Sequence, residues 1–170
     1  MKYNGFYIAR YEAGQNGTTV ISKQNATVYT NETQTDFKED IAKSMYKSSN
    51  SSSVKSAMCS GIQWDMVMKF VDGKKDAKGN KYDVRVYDEN KHTGSKTTSG
   101  KNEYDKVQNI YDLAGNCWEY VAEKNNTSVP FVYRGGYYTK SSGYIVSRRF
   151  GVQSGHVNEN GTFRPVLYIM

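Results

Sequence analysis

The chain has 170 residues, a length that suits one domain, because two separate cores would each be small for independent stability. Hydrophobic residues make up 37% and aromatic residues 14%, including 15 tyrosines, which argues against a disordered chain and against a leucine-rich helical bundle. The net charge is +6, yet the lysines are interleaved with acids, no nucleic-acid motif occurs and no apolar stretch approaches the ~20 residues that span a bilayer, so we expect neither nucleic-acid binding nor membrane insertion.

The first half of the chain is predicted to contain few strands and long loops. Gly5–Glu12 is rich in aromatic and β-branched residues and predicts the first strand, and Val28-Tyr29 begins a short second one. The Ser/Asn-rich segment 47–55 predicts a loop. The polar, glycine-containing segment 74–106 predicts long surface loops, and loops of this length are uncommon unless they are functional or tied down.

Two helices are also predicted in the first half. Near position 40, three apolar residues spaced four apart define one helical face, and Thr35 is the expected N-cap. These three residues are Phe37, Ile41 and Met45. A second helix begins at Ser60, because Ser60 and Gln63 have the spacing of a capping box. Its expected buried stripe consists of Ile62, Met66, Val67 and Phe70.

Strands are concentrated in the second half of the chain. Segment 109–122 predicts a turn that leads into a strand, and segment 131–134 predicts a strand that ends at Gly135-Gly136. Segments 144–150 and 162–169 predict two more. Along 144–150 one of two sets faces the core, and both assignments stay open. The sets are Tyr144, Val146, Arg148 and Phe150, and Ile145, Ser147 and Arg149. Early helices and late strands predict an α+β fold.

Five short motifs follow one another along the chain. They are Phe6–Glu12, Gln63-Trp64-Asp65, Asn109–Tyr120, Arg134-Gly135-Gly136-Tyr137 and Phe163-Arg164-Pro165. In this order they resemble the formylglycine-generating-enzyme (sulfatase-modifying factor) family, with Thr162 in place of the family's usual glycine. The resemblance implies a single C-type-lectin-like domain over residues 1–170, with two helices, a small antiparallel sheet and long irregular loops.

The motif around position 115 has a physical interpretation. Gly115-Asn116 suits a tight turn that requires a positive φ, and Trp118 is expected to be a large buried anchor. Arg134 and Arg164, where buried, each need a carboxylate or carbonyl partner, and Glu119 is a candidate. We expect these residues to hold the fold rather than to perform chemistry.

The cysteines argue against catalysis. Catalytic members of the family are expected to carry two thiols between the RGG and FRP motifs, whereas residues 137–162 contain none. Cys59 and Cys117 lie elsewhere, and either a disulfide or two buried free thiols would fit their sequence context. His92 and His156 are expected to lie on the surface and to take no part in catalysis. We therefore predict no enzymatic activity.

The resemblance also implies a calcium site in the motif around position 115. Its ligands would be the side chain of Asp112, the carbonyls of Gly115 and Cys117, and Glu119, and oxygen ligands of this kind suit Ca²⁺. The alternative is a turn closed by hydrogen bonds alone. No other cofactor is expected, and the sequence lacks the Glu-Pro-Asn and Gln-Pro-Asp triplets of sugar-binding lectins.

The segment between RGG and FRP resembles that of a non-catalytic branch, the variable proteins of diversity-generating retroelements. It is rich in Tyr, Ser, Gly and Asn, which antibody loops also favour. The resemblance implies a ligand-binding display domain on a phage virion or bacterial cell surface, with a protein or glycan ligand on a cell surface. Either a monomer or an oligomer fits. Two other interpretations stay open: an enzyme of the family with unconventional chemistry, and a purely structural domain. The candidate ligand-binding residues are Tyr137, Tyr138, Ser141, Ser142, Tyr144, Arg149, Phe150, Val152, His156 and Asn158.

Overall fold

Short strands and two helices form an α+β fold in the computed structural model, which describes residues 5–46, 53–85, 94–139 and 145–169. The strands are β1 (Tyr7–Ile8), β2 (Gly14–Asn16), β3 (Thr19–Ile21), β4 (Thr27–Val28), β5 (Val54–Met58), β6 (Trp118–Val121), β7 (Phe131–Arg134), β8 (Phe150–Val152), β9 (Gly161–Phe163) and β10 (Pro165–Ile169). Helix α1 consists of Gln34–Asp36, a π-helical part Phe37–Ile41 and Ala42–Ser44, and helix α2 is Gly61–Val71. A short 3₁₀ turn covers Glu103–Asp105.

The described strands form three sheets, where the sequence predicts a single small antiparallel one. The terminal sheet has the order β1-β10-β5, the hairpin sheet β3-β2-β4 and the central sheet β8-β7-β6-β9. All pairs are antiparallel except β6 with β9, which is parallel. The parallel pair arises because the chain returns from β8 through a long loop before it enters β9.

Helix α1 begins two residues earlier than predicted. Its N-cap is Thr33, whose hydroxyl accepts a hydrogen bond from the backbone N–H of Asp36 (3.2 Å). The Asp36 carboxylate in turn accepts from the N–H of Thr33 (3.2 Å). This reciprocal bonding satisfies two helix-end donors, whereas a cap at Thr35 would satisfy only one. The predicted inner face is confirmed at Phe37 and Met45, which are both buried.

Helix α2 begins as predicted but turns a different face to the core. The capping box is confirmed, because the N–H of Gln63 donates to the Ser60 hydroxyl (3.3 Å) and the N–H of Ser60 donates to Gln63 Oε1 (2.8 Å). The predicted buried stripe is wrong at Ile62, Met66 and Phe70, which are 76%, 45% and 54% exposed. The face that packs inward carries Trp64, Val67, Met68 and Val71.

The late strands agree only in part with the sequence pattern. Strands β6 and β7 are confirmed, whereas residues 145–149 form a turn and β8 begins only at Phe150. The alternation proposed for 144–150 therefore does not apply. Val146 is buried, and its carbonyl accepts a hydrogen bond from Trp64 Nε1 (3.2 Å), which fixes this turn against α2. Tyr144 lies outside the described residues.

The other boundaries differ from the predictions at both ends of the chain. The first strand is only β1, because the backbone bends after position 9. The predicted final strand is divided at Arg164 into β9, which pairs with β6, and β10, which pairs with β1 and β5. Strands β2, β3 and β5 were not predicted.

The hydrophobic core consists of two clusters, one on each face of the central sheet. Val121 and Val132 point to a cluster that contains Trp64 of α2. Tyr120 and Tyr133 point to a second cluster that contains Phe37 of α1. Strand residues alternate between faces, so the two helices are held on opposite sides of one sheet. Among the helices of the described ranges, none has the length and apolar character needed to cross a membrane.

Candidate functional site

The turn before β6 is fixed by a buried carboxylate. Gly115 and Asn116 have φ values of 108° and 58°, which confirms the predicted positive-φ turn. Asn116 donates through Nδ2 to Glu12 Oε2 (2.6 Å), and the N–H of Cys117 donates to Glu12 Oε1 (3.1 Å). Burial, together with nearby Asp112, raises the pKa of Glu12 well above its ordinary value. The turn is thus built around an acid that lies in the interior.

Arg164 is fully buried and forms an ion pair with buried Glu119. Its Nε donates to both carboxylate oxygens at 3.1 Å. The guanidinium also donates to the carbonyls of Ala9 (3.2 Å) and Tyr111 (2.8 Å). Burial lowers the pKa of Arg164, but the charge and hydrogen bonds of Glu119, together with the nearby acids Glu12 and Asp112, outweigh it and raise the pKa. Of the two arginines for which Glu119 was a candidate partner, Arg164 is the one that pairs with it, and this ion pair fastens the start of β10 to β6.

Arg134 is buried at the other end of the segment between RGG and FRP. Its Nη2 donates to Asp65 of α2 (2.9 Å) and to Glu123 (3.4 Å), and its Nη1 donates to the carbonyl of Ser147 (2.7 Å). The predicted requirement for carboxylate or carbonyl partners is met. Both arginines at the limits of the segment are therefore held by buried or half-buried ion pairs.

The two carboxylates of the predicted calcium site have other partners. Both oxygens of Glu119 accept from Arg164, and Asp112 Oδ2 accepts from the N–H of Gly100 (2.6 Å). No group of three or more His, Cys, Asp or Glu side chains in the described parts of the chain is arranged to hold a metal ion. The calcium site stays a prediction, and the function proposed below does not depend on it.

Both cysteines are buried free thiols, which decides between the two alternatives left open by the sequence. Burial raises the pKa of Cys59 and of Cys117 above the ordinary range. Because the thiolate is the nucleophile and the metal ligand, neither side chain has the environment of a reactive cysteine. Of the two histidines, His156 is exposed and His92 lies outside the described residues.

An aromatic group forms one face of the domain. The indole of Trp118 stacks with Tyr137 (ring centroids 5.5 Å apart, planes at 25°) and with Phe150 (5.5 Å, 26°). Tyr133 stacks with it as well (5.6 Å, 22°). Trp118 is buried beneath this group, as predicted for an anchor, while Phe150 is 37% exposed. The aromatic packing of the core thus extends to the surface of the domain.

An open cleft of about 260 Å³ lies over three of these rings, those of Trp118, Tyr133 and Phe150, and Tyr137 does not line it. Its lining residues are Trp118, Val129, Tyr133, Phe150, Gly151, Val152, Gln153, His156 and Asn158. Four of the predicted ligand-binding residues are among them, at positions 150, 152, 156 and 158. Sequence reasoning assigned Trp118 to the fold only and missed Tyr133, although the period-two alternation of β6 and β7 could have placed both rings on one face.

The loop that carries His156 is anchored through its backbone. The carbonyl of His156 accepts from the hydroxyl of Tyr120 (2.7 Å), which accepts from the hydroxyl of Tyr133 (2.7 Å). Burial raises the pKa of both tyrosines, so they stay neutral hydrogen-bond donors. The His156 side chain remains exposed. The side chain of Asn158 accepts from the N–H of Asn160 (2.8 Å) and stabilises the following turn.

The other predicted residues lie in different surroundings. Tyr138 is half-buried and packs edge-on against Tyr137 (5.6 Å, 72°). Of the cleft-lining residues named above, Val152 is mostly buried in the second core cluster. Arg149 is exposed, forms an ion pair with Glu123 and does not line the cleft. Ser141, Ser142 and Tyr144 lie outside the described residues.

No protein-family model and no curated protein matches the sequence. Among solved structures, the chain is similar to Treponema denticola variable protein 1, with 15% sequence identity and a TM-score of 0.47. The match covers 92% of this chain and 61% of that one, so this chain spans less than two thirds of its length. Such a likeness establishes neither a family nor a shared fold.

Proposed function

We propose that the chain is a non-catalytic, ligand-binding domain of C-type-lectin-like architecture, and that its binding face lies between Arg134-Gly135-Gly136 and Phe163-Arg164-Pro165. One observation carries this proposal. An open aromatic cleft lies over the segment between two arginines that are themselves locked in the scaffold. A fixed frame around an exposed, chemically mixed surface is the arrangement that recognition requires.

The chemistry of the face supports binding. Tyr137 and Phe150 are rigid rings backed by Trp118, and such rings offer large contact area at low cost in side-chain entropy. His156 adds an exposed polar group beside them. Aromatic side chains dominate the energetics of protein interfaces, so Phe150 and Tyr137 are the expected anchors. The proposed ligand is a protein or glycan on a cell surface.

The absence of catalysis is part of the proposal. The segment 137–162 contains no cysteine, and the two cysteines of the chain are buried with raised pKa values. Neither thiol lies among the residues that line the cleft. An oxidoreductase that used a cysteine pair in this segment would need residues that the sequence does not have.

Binding can be tested with arrays of glycans and purified cell-surface proteins. We expect Phe150→Ser to weaken binding of any retained array ligand at least tenfold, because that loss equals about 1.4 kcal/mol, well within the range for a removed aromatic anchor. The matched control is Tyr104→Ser, since Tyr104 is 38% exposed against 37% for Phe150 and does not line the cleft. Equal loss in both variants, with folding intact, would contradict the proposed face.

We further propose that the face is diversified and displayed on a phage virion or bacterial surface. Sequencing the gene from a population tests this directly. Differences concentrated between positions 137 and 162, together with a neighbouring reverse transcriptase and a near-repeat of this coding segment, would support diversification. Substitutions spread evenly along the chain would refute diversification while leaving ligand binding intact.

A further inference from the structure

Helix α2 is apolar on two opposite faces, and within the described part of the chain only one of them packs against the domain. The inward face carries Trp64, Val67, Met68 and Val71, all of them buried. The outward face carries Ile62, Met66 and Phe70, at positions four apart. A helix with apolar residues on both sides is normally covered on both sides, whereas a surface helix has a polar outer face.

The outward stripe of α2 (Ile62, Met66 and Phe70) is strongly exposed. Its side chains are 76%, 45% and 54% exposed, and they follow one another along the helix. Scattered exposed apolar residues are normal on a protein surface, but a continuous row of large ones marks an interaction site. Residues at i, i+4 and i+8 are the anchors by which one helix packs along another.

The charged residues beside the stripe would face residues of opposite charge if two α2 helices packed together in antiparallel orientation. Asp65 and Lys69 lie on the same flank of α2, one position before Met66 and three positions after it. In an antiparallel pair of α2 helices centred on Met66, Ile62 meets Phe70 of the partner subunit. Lys69 then lies two residues, about 3 Å along the axis, from Asp65 of the partner subunit. The helix dipoles also oppose each other favourably in this arrangement.

We infer that the outward stripe of α2 pairs with the same stripe of a second copy of the chain about a two-fold axis. In such an interface one patch contacts itself, so the self-complementary charges set its direction. Lys69 is available for this contact, because no acid in the described segments forms an ion pair with it. Asp65 pairs with Arg134 yet keeps a side chain that is 61% exposed.

The expected dimer is weak. Three side chains and their flanks cover well below the ~800 Å² that each partner contributes to a standard interface. We therefore expect a monomer–dimer equilibrium that sedimentation measurements resolve between about 10 µM and 1 mM protein. A protein that stays monomeric over this whole range would overturn the inference.

One variant and its matched control test the contact itself. Met66→Glu places two like charges opposite each other at the two-fold axis, and we expect at least a tenfold loss of dimer affinity. The matched control is Tyr7→Glu, which changes another large exposed side chain (64% exposed) outside α2 and is expected to leave the equilibrium unchanged. Equal effects of the two substitutions would overturn the inference.

A charge exchange tests the antiparallel direction. Lys69→Glu faces Asp65 of the partner subunit and is expected to weaken the dimer, and adding Asp65→Lys in the same chain is expected to restore it. Since Asp65 also pairs with Arg134, thermal melting of each variant separates loss of folding from loss of pairing. A folded double variant that stays as weak as Lys69→Glu alone would exclude the proposed geometry.

Discussion

Removing the ion pair between Glu119 and Arg164 should lower the stability of the domain more than removing any other ion pair in the described residues. Glu119→Gln keeps the size of the side chain but leaves the fully buried Arg164 charge without its counter-ion. Breaking a buried pair in this way costs about 3–5 kcal/mol, a large part of the ~5–15 kcal/mol that stabilises a typical domain. The carbonyls of Ala9 and Tyr111 still accept from the guanidinium, so we expect the lower end of this range. With a typical urea dependence, the unfolding midpoint should fall by about 1–3 M.

The control for this prediction is the second arginine. Asp65→Asn removes a carboxylate that is 61% exposed, while Glu123 and the carbonyl of Ser147 still bind Arg134. We expect a loss of at most about 1 kcal/mol, as for other solvent-exposed ion pairs. Urea unfolding of both variants provides the comparison. Equal losses for Glu119→Gln and Asp65→Asn would refute the argument from burial.

Three further predictions concern the turn, the interior acid and the thiols. Gly135→Ala should cost more stability than Gly17→Ala in thermal melts, because both have positive φ but only the Gly135 methyl would meet a backbone oxygen, at 2.9 Å. The folded-state pKa of Glu12 is raised, so stability should decline as pH rises from the unfolded-state value through the folded one, and Glu12→Gln should flatten that decline in unfolding experiments across pH. The thiols should react with a thiol reagent only after denaturation; fast labelling of the native protein would contradict their burial.

Local signals in the sequence predicted the elements that depend on neighbours along the chain. The capping box at Ser60 and Gln63 is satisfied within one helical turn, and the positive-φ turn at Gly115-Asn116 depends on those residues alone. Strands β6 and β7 were found because apolar and β-branched residues continue through them. The general rule that a buried guanidinium requires a carboxylate or carbonyl made Glu119 a candidate partner, but it did not decide between Arg134 and Arg164.

Tertiary packing decided the features that the sequence did not predict. Periodicity alone cannot decide which of the two apolar faces of α2 is buried. The face that carries Trp64, the largest fully buried side chain, packs inward. Residues 145–149 contain strand-forming side chains, yet the hydrogen bond from Trp64 to the carbonyl of Val146 holds them in a turn. Strand β5 was missed because its Lys and Ser residues are poor strand signals, and pairing with β10 supplies the order.

The residues of the candidate face contribute to the fold in different ways. His156 contributes to the fold through its carbonyl, which any residue supplies, and its side chain is free of that role. Val152 and Asn158 differ from it. The side chain of Val152 fills the core, and the side chain of Asn158 accepts a hydrogen bond that stabilises the next turn. Positions that contribute to the fold only through backbone atoms should therefore tolerate substitution better than positions that contribute through their side chains. The frame itself rests on Arg134 and Arg164, whose partners all lie outside the cleft. On the proposed binding face, His156 therefore uses different atoms for the fold and for a ligand, whereas Val152 and Asn158 use the same side chain for both.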